Sequence, residues 1–312
     1  MKTLIRATEV WLPSDDGLML EFGSGLFASA TLAGISRNMC FGRAEGLPGQ
    51  AWDEGRPILL KQFEGSNFRR TAAARAAGLG CAVAVPTFAG ERLTSVLVFF
   101  FGDDTAEHCA IELWRNDPRA ASDMTLVDGR YGSHASELEA LSRETFPSRD
   151  SGLPGLAWQH SSTVFTDDLA ASSPALHGKP AQGAGTRRGL AMPCPVRGQA
   201  NEVLTFLAPA ETPIALRIEA WAPDASRASL QRRIAHGAAE GALPDACASV
   251  VLCPGGGGVA SAFLGGVAAL SPQAGGEPGA IGAAATACGA TSLVAVPVFG
   301  DDEVVEVLVL YF

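Results

Sequence analysis

The chain has 312 residues, of which 47% are hydrophobic and 18% charged, and its formal net charge is −10. That length accommodates two or three domains with cores of their own, and so apolar a composition excludes a disordered chain. The acidic balance excludes a basic nucleic-acid footprint and disfavours anionic membrane surfaces.

No apolar run reaches the roughly 18 residues that a spanning helix needs. The start, MKTLIRATEVW, is charged and lacks an apolar core segment, so no signal peptide and a cytoplasmic location are expected. The seven cysteines (Cys40, Cys81, Cys109, Cys194, Cys247, Cys253, Cys288) are odd in number and form no CxxC. They are expected to be reduced thiols, mostly small buried hydrophobes.

In chain order, the first elements read as a hairpin. TEVWLP and LMLEFG flank a polar turn at residues 14–17. A helix is expected over 28–37, then a Gly-x-Pro-Gly turn at 46–49 and a short strand over 57–61. The alanine-rich stretch 72–77 reads as a second helix, with Gly78 suited to end it. A terminal hairpin follows, with strands such as 96–101 that are apolar throughout. That pattern suits central strands covered on both faces. The series then begins again, with a helix expected over 135–143, where Leu138 and Leu141 share a face.

Three signals recur in one order. Glu-x-Trp occurs at Glu9/Trp11, Glu112/Trp114 and Glu219/Trp221, so the tryptophans stand 103 and 107 positions apart. Gly-x-Pro-Gly occurs at 46–49, 152–155 and 276–279. An apolar run through a proline into a long apolar strand begins at Val83, Leu190 and Val294. In two copies GLPG is followed three residues later by tryptophan, Trp52 and Trp158. Module boundaries are accordingly expected at 1–105, 106–211 and 212–312.

Strand pair, helix, GxPG-x-x-Trp, strand, helix and a proline-bearing hairpin together resemble a GAF sensory domain. The segment from Glu45 to Phe101 carries the likeness best, and 151–207 carries it less tightly. The resemblance implies an α/β fold of the α+β kind, in which a mainly antiparallel sheet is flanked by helices over a small-molecule pocket. Two departures stand out. Successive copies are joined by about ten residues, a loop-sized gap, and no kinase, phosphodiesterase or DNA-binding output follows. In the third copy, Gly276 to Pro297 is 21 positions, against 40 from Gly46 to Pro86 and 43 from Gly152 to Pro195. This copy is therefore expected to be degenerate. It would lack the third strand, the pocket-covering helix and a normal ligand pocket, and carry an insertion around CPGGGGVASAFLGGVAAL. VASAFLGGVAAL itself reads as a core helix, and Gly255 to Gly258 as a flexible loop, since no GxxxxGK[ST] string is present.

The implied pocket lies along the strand and helix after GxPG-x-x-Trp. In copy 1 that selects Trp52, Phe63, Phe68, Arg69 and Arg70. In copy 2 it selects Trp158, His160, Asp167, Asp168, His177, Arg187 and Arg188. One reading is an aromatic wall with cations for an anionic ligand; the other places the aromatics in the core and the arginines on the solvent face. No HExxH, GxSxG or metal-ligand spacing appears, no cofactor is assigned, and His108-Cys109 reads as linker polarity. The leading expectation is a non-catalytic sensory protein that binds a small molecule and signals through a separate partner. One alternative is a thiol enzyme resembling the free methionine sulfoxide reductases, using Cys40 and Cys81. Another is a scaffold whose third copy, with seven acids and no Lys or Arg after Arg233, docks a protein or pairs with itself.

Overall fold

The computed structural model describes residues 2–103, 108–172, 183, 185–194, 196–198, 200–237, 248–300 and 303–312. These form an α+β fold with three antiparallel sheets flanked by helices, consistent with repeated GAF-like modules. They divide into two compact units, residues 2–214 with two of the sheets and 215–312 with the third. Among the described residues, no helix is long and apolar enough to cross a membrane.

The first module comprises β1 (Ile5–Pro13), β2 (Met19–Leu26), α1 (Ala30–Arg37), β3 (Cys40–Gly42), α2 (Gly46–Glu54), β4 (Ile58–Leu60), α3 (Thr71–Ala76), β5 (Leu79–Ala89) and β6 (Arg92–Gly102). Its sheet runs β3-β2-β1-β6-β5-β4. Ser29 caps α1 by accepting from the Leu32 amide. Gly78, left-handed at φ 71°, ends the helical run as expected of a C′ glycine. The GxPG string is not a turn but the first part of α2. Gly46 takes a positive φ of 58° at its start, and Pro48 sits in the first turn, where its missing N–H costs no bond.

The second module repeats this with β7 (Ala110–Asn116), β8 (Thr125–Tyr131), α4 (Ser136–Glu144), α5 (Gly152–His160), β9 (Val164–Thr166), β10 (Arg188–Cys194) and β11 (Asn201–Ala208). Its sheet runs β8-β7-β11-β10-β9. Alternation along β6 explains why these strands read apolar throughout. Val96, Val98 and Phe100 face the helices, in one core with Trp11 and Phe41. Phe99 and Phe101 face the other way, and the ring of Phe206 on β11 meets them at 5.9 and 5.7 Å. The first two sheets thus pack back to back. Arg197 adds a tie, with its N–H bonded to the Gly55 carbonyl at 2.9 Å and its guanidinium 4.4 Å from the centre of the Phe88 ring.

The third module corrects the sequence reading. Its sheet, β14-β13-β12-β17-β16-β15, is built from β12 (Arg217–Pro223), β13 (Ser229–Gly237), β14 (Ser249–Val251), β15 (Ala269–Ser271), β16 (Leu293–Gly300) and β17 (Glu303–Tyr311). The strand expected to be missing is present as β15, paired with β16 as β4 is with β5. A helix over Gly279–Cys288 stands where α3 stands in the first module. The supposed insertion is the counterpart of α2. Helix Gly258–Gly265 packs on β15, β16 and β17 and ends in left-handed Gly266, three residues before its strand. Gly55 and left-handed Ser161 hold the same place after α2 and α5. Counted back from these caps, Gly46, Gly152 and Gly257 coincide, all at positive φ, and so do Trp52, Trp158 and Phe263. From Gly257 to Pro297 is then 40 positions, the same as from Gly46 to Pro86. The GEPG string is a coincidence in a chain with 36 glycines and 19 prolines. Val259, Ala260, Ala262 and Phe263 are buried, as a core helix requires.

Candidate functional site

Each module buries the carboxylate of its Glu-x-Trp signal in its helix-covered core. In a strand, residues i and i+2 share a face. Glu-x-Trp therefore sends its glutamate into the same helix-covered core as its tryptophan, and Glu9, Glu112 and Glu219 are all 0% exposed. In each module the indole N–H donates to the glutamate two residues before it, at 2.9, 3.0 and 3.0 Å.

The remaining donors differ. In the first module Ser36 of α1 donates to Glu9 Oε1 at 2.8 Å, and the Arg70 guanidinium, 3% exposed, bonds both carboxylate oxygens and Ser36 Oγ. Arg70 Cζ lies 5.2 Å from the ring centre of Phe68, and 5.6 Å from those of Trp11 and Phe100. Aromatic faces replace part of the hydration that the cation has lost. In the second module Tyr131 and Ser142 donate to Glu112 Oε1 at 2.8 and 2.7 Å. In the third, Arg217 Nε donates to Glu219 Oε1 at 2.8 Å and Tyr311 to Oε2 at 2.7 Å, with Arg232 at 3.3 Å. The chain has two tyrosines, and both serve these carboxylates. Burial, then the adjacent glutamate charge, pushes both phenols well up.

Beside the first of these clusters lies a cavity of about 530 Å³, lined by the start of β1, the entrance to α1 and the end of α3. Its floor is apolar, with Ala7, Leu32 and Leu79 buried. Ala7 is two residues from Glu9 on the same strand face, and Leu32 is one helical turn before Ser36, so the cavity abuts the buried cluster.

Of the residues singled out in copy 1, Phe63 and Phe68 stack at 4.3 Å within the core that encloses Arg70, and Trp52 packs half-buried on that core. Arg69 is exposed and paired with Glu45. None of the five lines the cavity. In copy 2, Trp158 is buried, with the Arg149 guanidinium 4.9 Å over its ring. Asp168 accepts from the Ala171 amide at the start of helix Leu169–Ser172. His160, Asp167 and Arg187 are exposed, Arg188 is half-buried at the start of β10, and His177 lies outside the described residues. The Glu-x-Trp carboxylates were missed as site residues, although a glutamate in phase with a core tryptophan signals its own burial.

Cys40 and Cys81 do not converge. They sit on β3 and β5, four strands apart, or roughly 19 Å at the usual spacing. Cys81 faces away from the helices, and burial pushes its thiol up to about 12, as it does that of Cys109. Cys40 and Cys253 are exposed, Cys81, Cys109 and Cys194 are buried, and Cys247 lies outside the described residues. Native protein at neutral pH should therefore give up Cys40 and Cys253 to a thiol reagent, while Cys81, Cys109 and Cys194 react only on unfolding. Mass spectrometry of the labelled chain checks this. Unfolded, Cys81 and Cys109 lose their protons near 9.0; folded, they hold them to about 12. The folded state binds more protons between those values, so stability is fully present below pH 9 and declines as pH rises toward 12. Urea midpoints that stay flat across that range would contradict the assignment.

No family model matches the sequence, and no curated protein matches it. Similar solved structures include the A. aeolicus nlh2 GAF domain in an inactive state, 17% identical over 31% of this chain and 58% of that one, with a TM-score of 0.26. Another is the GAF domain/HD domain protein of Geobacter sulfurreducens, 14% identical over 32% and 65%, with a TM-score of 0.28. A third is the free methionine-R-sulfoxide reductase of Neisseria meningitidis in complex with its substrate, 15% identical over 31% and 52%, with a TM-score of 0.26. In each case the chain spans less than two thirds of that protein's length.

Proposed function

We propose that the chain is a non-catalytic ligand-binding protein whose first module holds a small molecule and whose response is read by a separate partner. The cavity of the first module carries this reading. Its volume of about 530 Å³ falls in the range of small-molecule sites, roughly 300–1,000 Å³. Its floor is apolar and its rim polar, as such sites are. Its walls come from α1 and the end of α3, elements that also carry Ser36 and adjoin Arg70. A ligand that prefers one placement of α1 shifts the population of that placement, and this is all a partner needs to read. Native mass spectrometry of protein purified without denaturation tests the idea. A mass excess that disappears on unfolding is the expected result. A clean mass, with no thermal shift across a metabolite library, would count against it.

A further inference from the structure

We propose that this cavity takes an uncharged small molecule, its apolar body against Phe27, Leu32 and Leu79 and one carbonyl or ether oxygen accepting from the Ser29 hydroxyl. The proposal rests on reading the cavity as a ligand site and goes on to name the chemistry of what fills it.

The charges at the rim are already matched. Lys2 and Arg6, at the start of β1, each have a partner within the protein. Asp103, also at the rim, is paired with Arg130 of the second module, 3.9 Å from its Oδ1. A charged ligand would have to break one of these arrangements or lie unpaired against the apolar floor. Either way it gives up its hydration and gains no counter-charge. A neutral ligand meets neither obstacle.

Phe27 supplies the aromatic wall. Its ring folds back along the end of β2 and stacks on that of Phe22, with centres 6.2 Å apart and planes 26° apart. A Cβ at Gly25 would lie 2.3 Å from Phe27 Cε2, so the missing side chain at 25 is what leaves room for the ring. Ala7, Leu32 and Leu79 continue the apolar surface below it. The mouth is held by backbone, since the Asp103 amide donates to the Gly78 carbonyl at 2.9 Å. Two bulges stand at the same end of the sheet, with Arg6 the extra residue on β1 and Gly80 the extra residue on β5. Walls fixed in this way are formed before a ligand arrives. An apolar guest needs that, because it brings few bonds with which to order its host.

Ser29 supplies the polar contact. Its Oγ accepts from the Leu32 amide at 3.3 Å, and among the described residues none accepts its own proton. That leaves a neutral donor in the wall of the cavity. An oxygen acceptor on the ligand takes up the proton without asking for a counter-charge.

Calorimetric titration of the full chain at neutral pH with three probes of one shape tests this. They are the ketone benzylacetone, the anion hydrocinnamate and the cation of 4-phenylbutan-2-amine. The ketone should bind at least about tenfold more tightly than either ion. Ser29→Gly keeps the helix start almost as stable and should weaken the ketone about fivefold, the effect of one neutral hydrogen bond. Gly25→Ala displaces the Phe27 ring and should weaken it about threefold or more. An ion that binds as tightly as the ketone, or a ketone indifferent to both substitutions, would overturn the assignment. If none of the three binds, the native mass separates the two readings. A mass excess lost on unfolding would then overturn only the ligand class named here, and a clean mass would overturn the ligand site with it.

Discussion

Arg70→Met should destabilise the 2–214 unit by about 3–5 kcal/mol, the cost of stranding one member of a buried ion pair. Glu9 is fully buried, and without Arg70 it keeps only the donors of Trp11 and Ser36. Two hydrogen bonds do not replace the hydration of an ionised carboxylate. The pair itself contributes far less than that cost, because burying it desolvated both charges. The double variant Glu9→Gln/Arg70→Met should therefore recover most of the loss. The glutamine carbonyl still accepts from Trp11 and Ser36, and methionine fills the space among Phe41, Phe68 and Phe100. Urea unfolding, with hydrogen exchange of the β1 and β6 amides to localise the transition, measures both variants. A single variant that loses under about 1 kcal/mol, or a double variant no better than the single, would mean that the cluster is not held as described.

The three clusters explain why Glu-x-Trp marks each repeat. The glutamate is the polar centre that each core is built around, and the tryptophan is its nearest donor. The sequence carried both residues and their common phase. It did not carry the third partner, because Arg70 stands 61 positions from Glu9, whereas Tyr311 stands 92 from Glu219. Three modules solve one electrostatic problem with different residues, so no repeated string announces the solution. Arg70 reads, from its position after the strand that follows GxPG-x-x-Trp, as a cation offered to a ligand. The fold instead gives it an internal carboxylate and a cage of rings.

The alternating apolar strands, the hairpins and the alanine-rich helix were legible because each depends on neighbours within a few residues. The third module was misread because a short string was given more weight than spacing. GEPG matches GLPG in letters, but the chain reaches its helix earlier, through GGVASAF. In that stretch Gly257 supplies the positive φ and Phe263 stands where Trp52 and Trp158 stand. Position relative to the capping residue survives the exchange of Pro for Val and of Trp for Phe, since what the fold needs there is a left-handed start and a large apolar side chain. The cavity was illegible for a different reason. Two bulges stand at its end, and a bulge depends on register between strands, here between Ile5 and Phe101, 96 positions apart, and between Leu79 and Gly102, 23 apart.

Gly155→Ala should cost about 3 kcal/mol or more, the upper end of what overpacking exacts. A Cβ at Gly155 would lie 1.9 Å from the Ser148 carbonyl oxygen, and at Gly49 2.1 Å from that of Gly42. Both obstacles are backbone, so neither can rotate away. Relief requires α5 to shift from the 148–149 segment, and α5 carries Leu153, Ala157 and Trp158 into the core. Shifting it exchanges a clash for a void. Gly34→Ala is the control. It lies within α1 with nothing near its missing Cβ, so alanine there should stabilise by about 0.4–1 kcal/mol through the unfolded chain alone. The third module supplies a natural comparison, because Ala260 occupies the position equivalent to Gly49 and Gly155. There the connection from β14 takes a different path into its helix, and alanine is accommodated, so Ala260→Gly should cost about 1 kcal/mol in helix propensity. Opposite responses at equivalent positions, read from urea midpoints of the three variants, would follow only if close backbone approach, and not the repeat pattern itself, fixes glycine in the first two modules. Equal tolerance of alanine at Gly155 and Gly34 would remove that explanation.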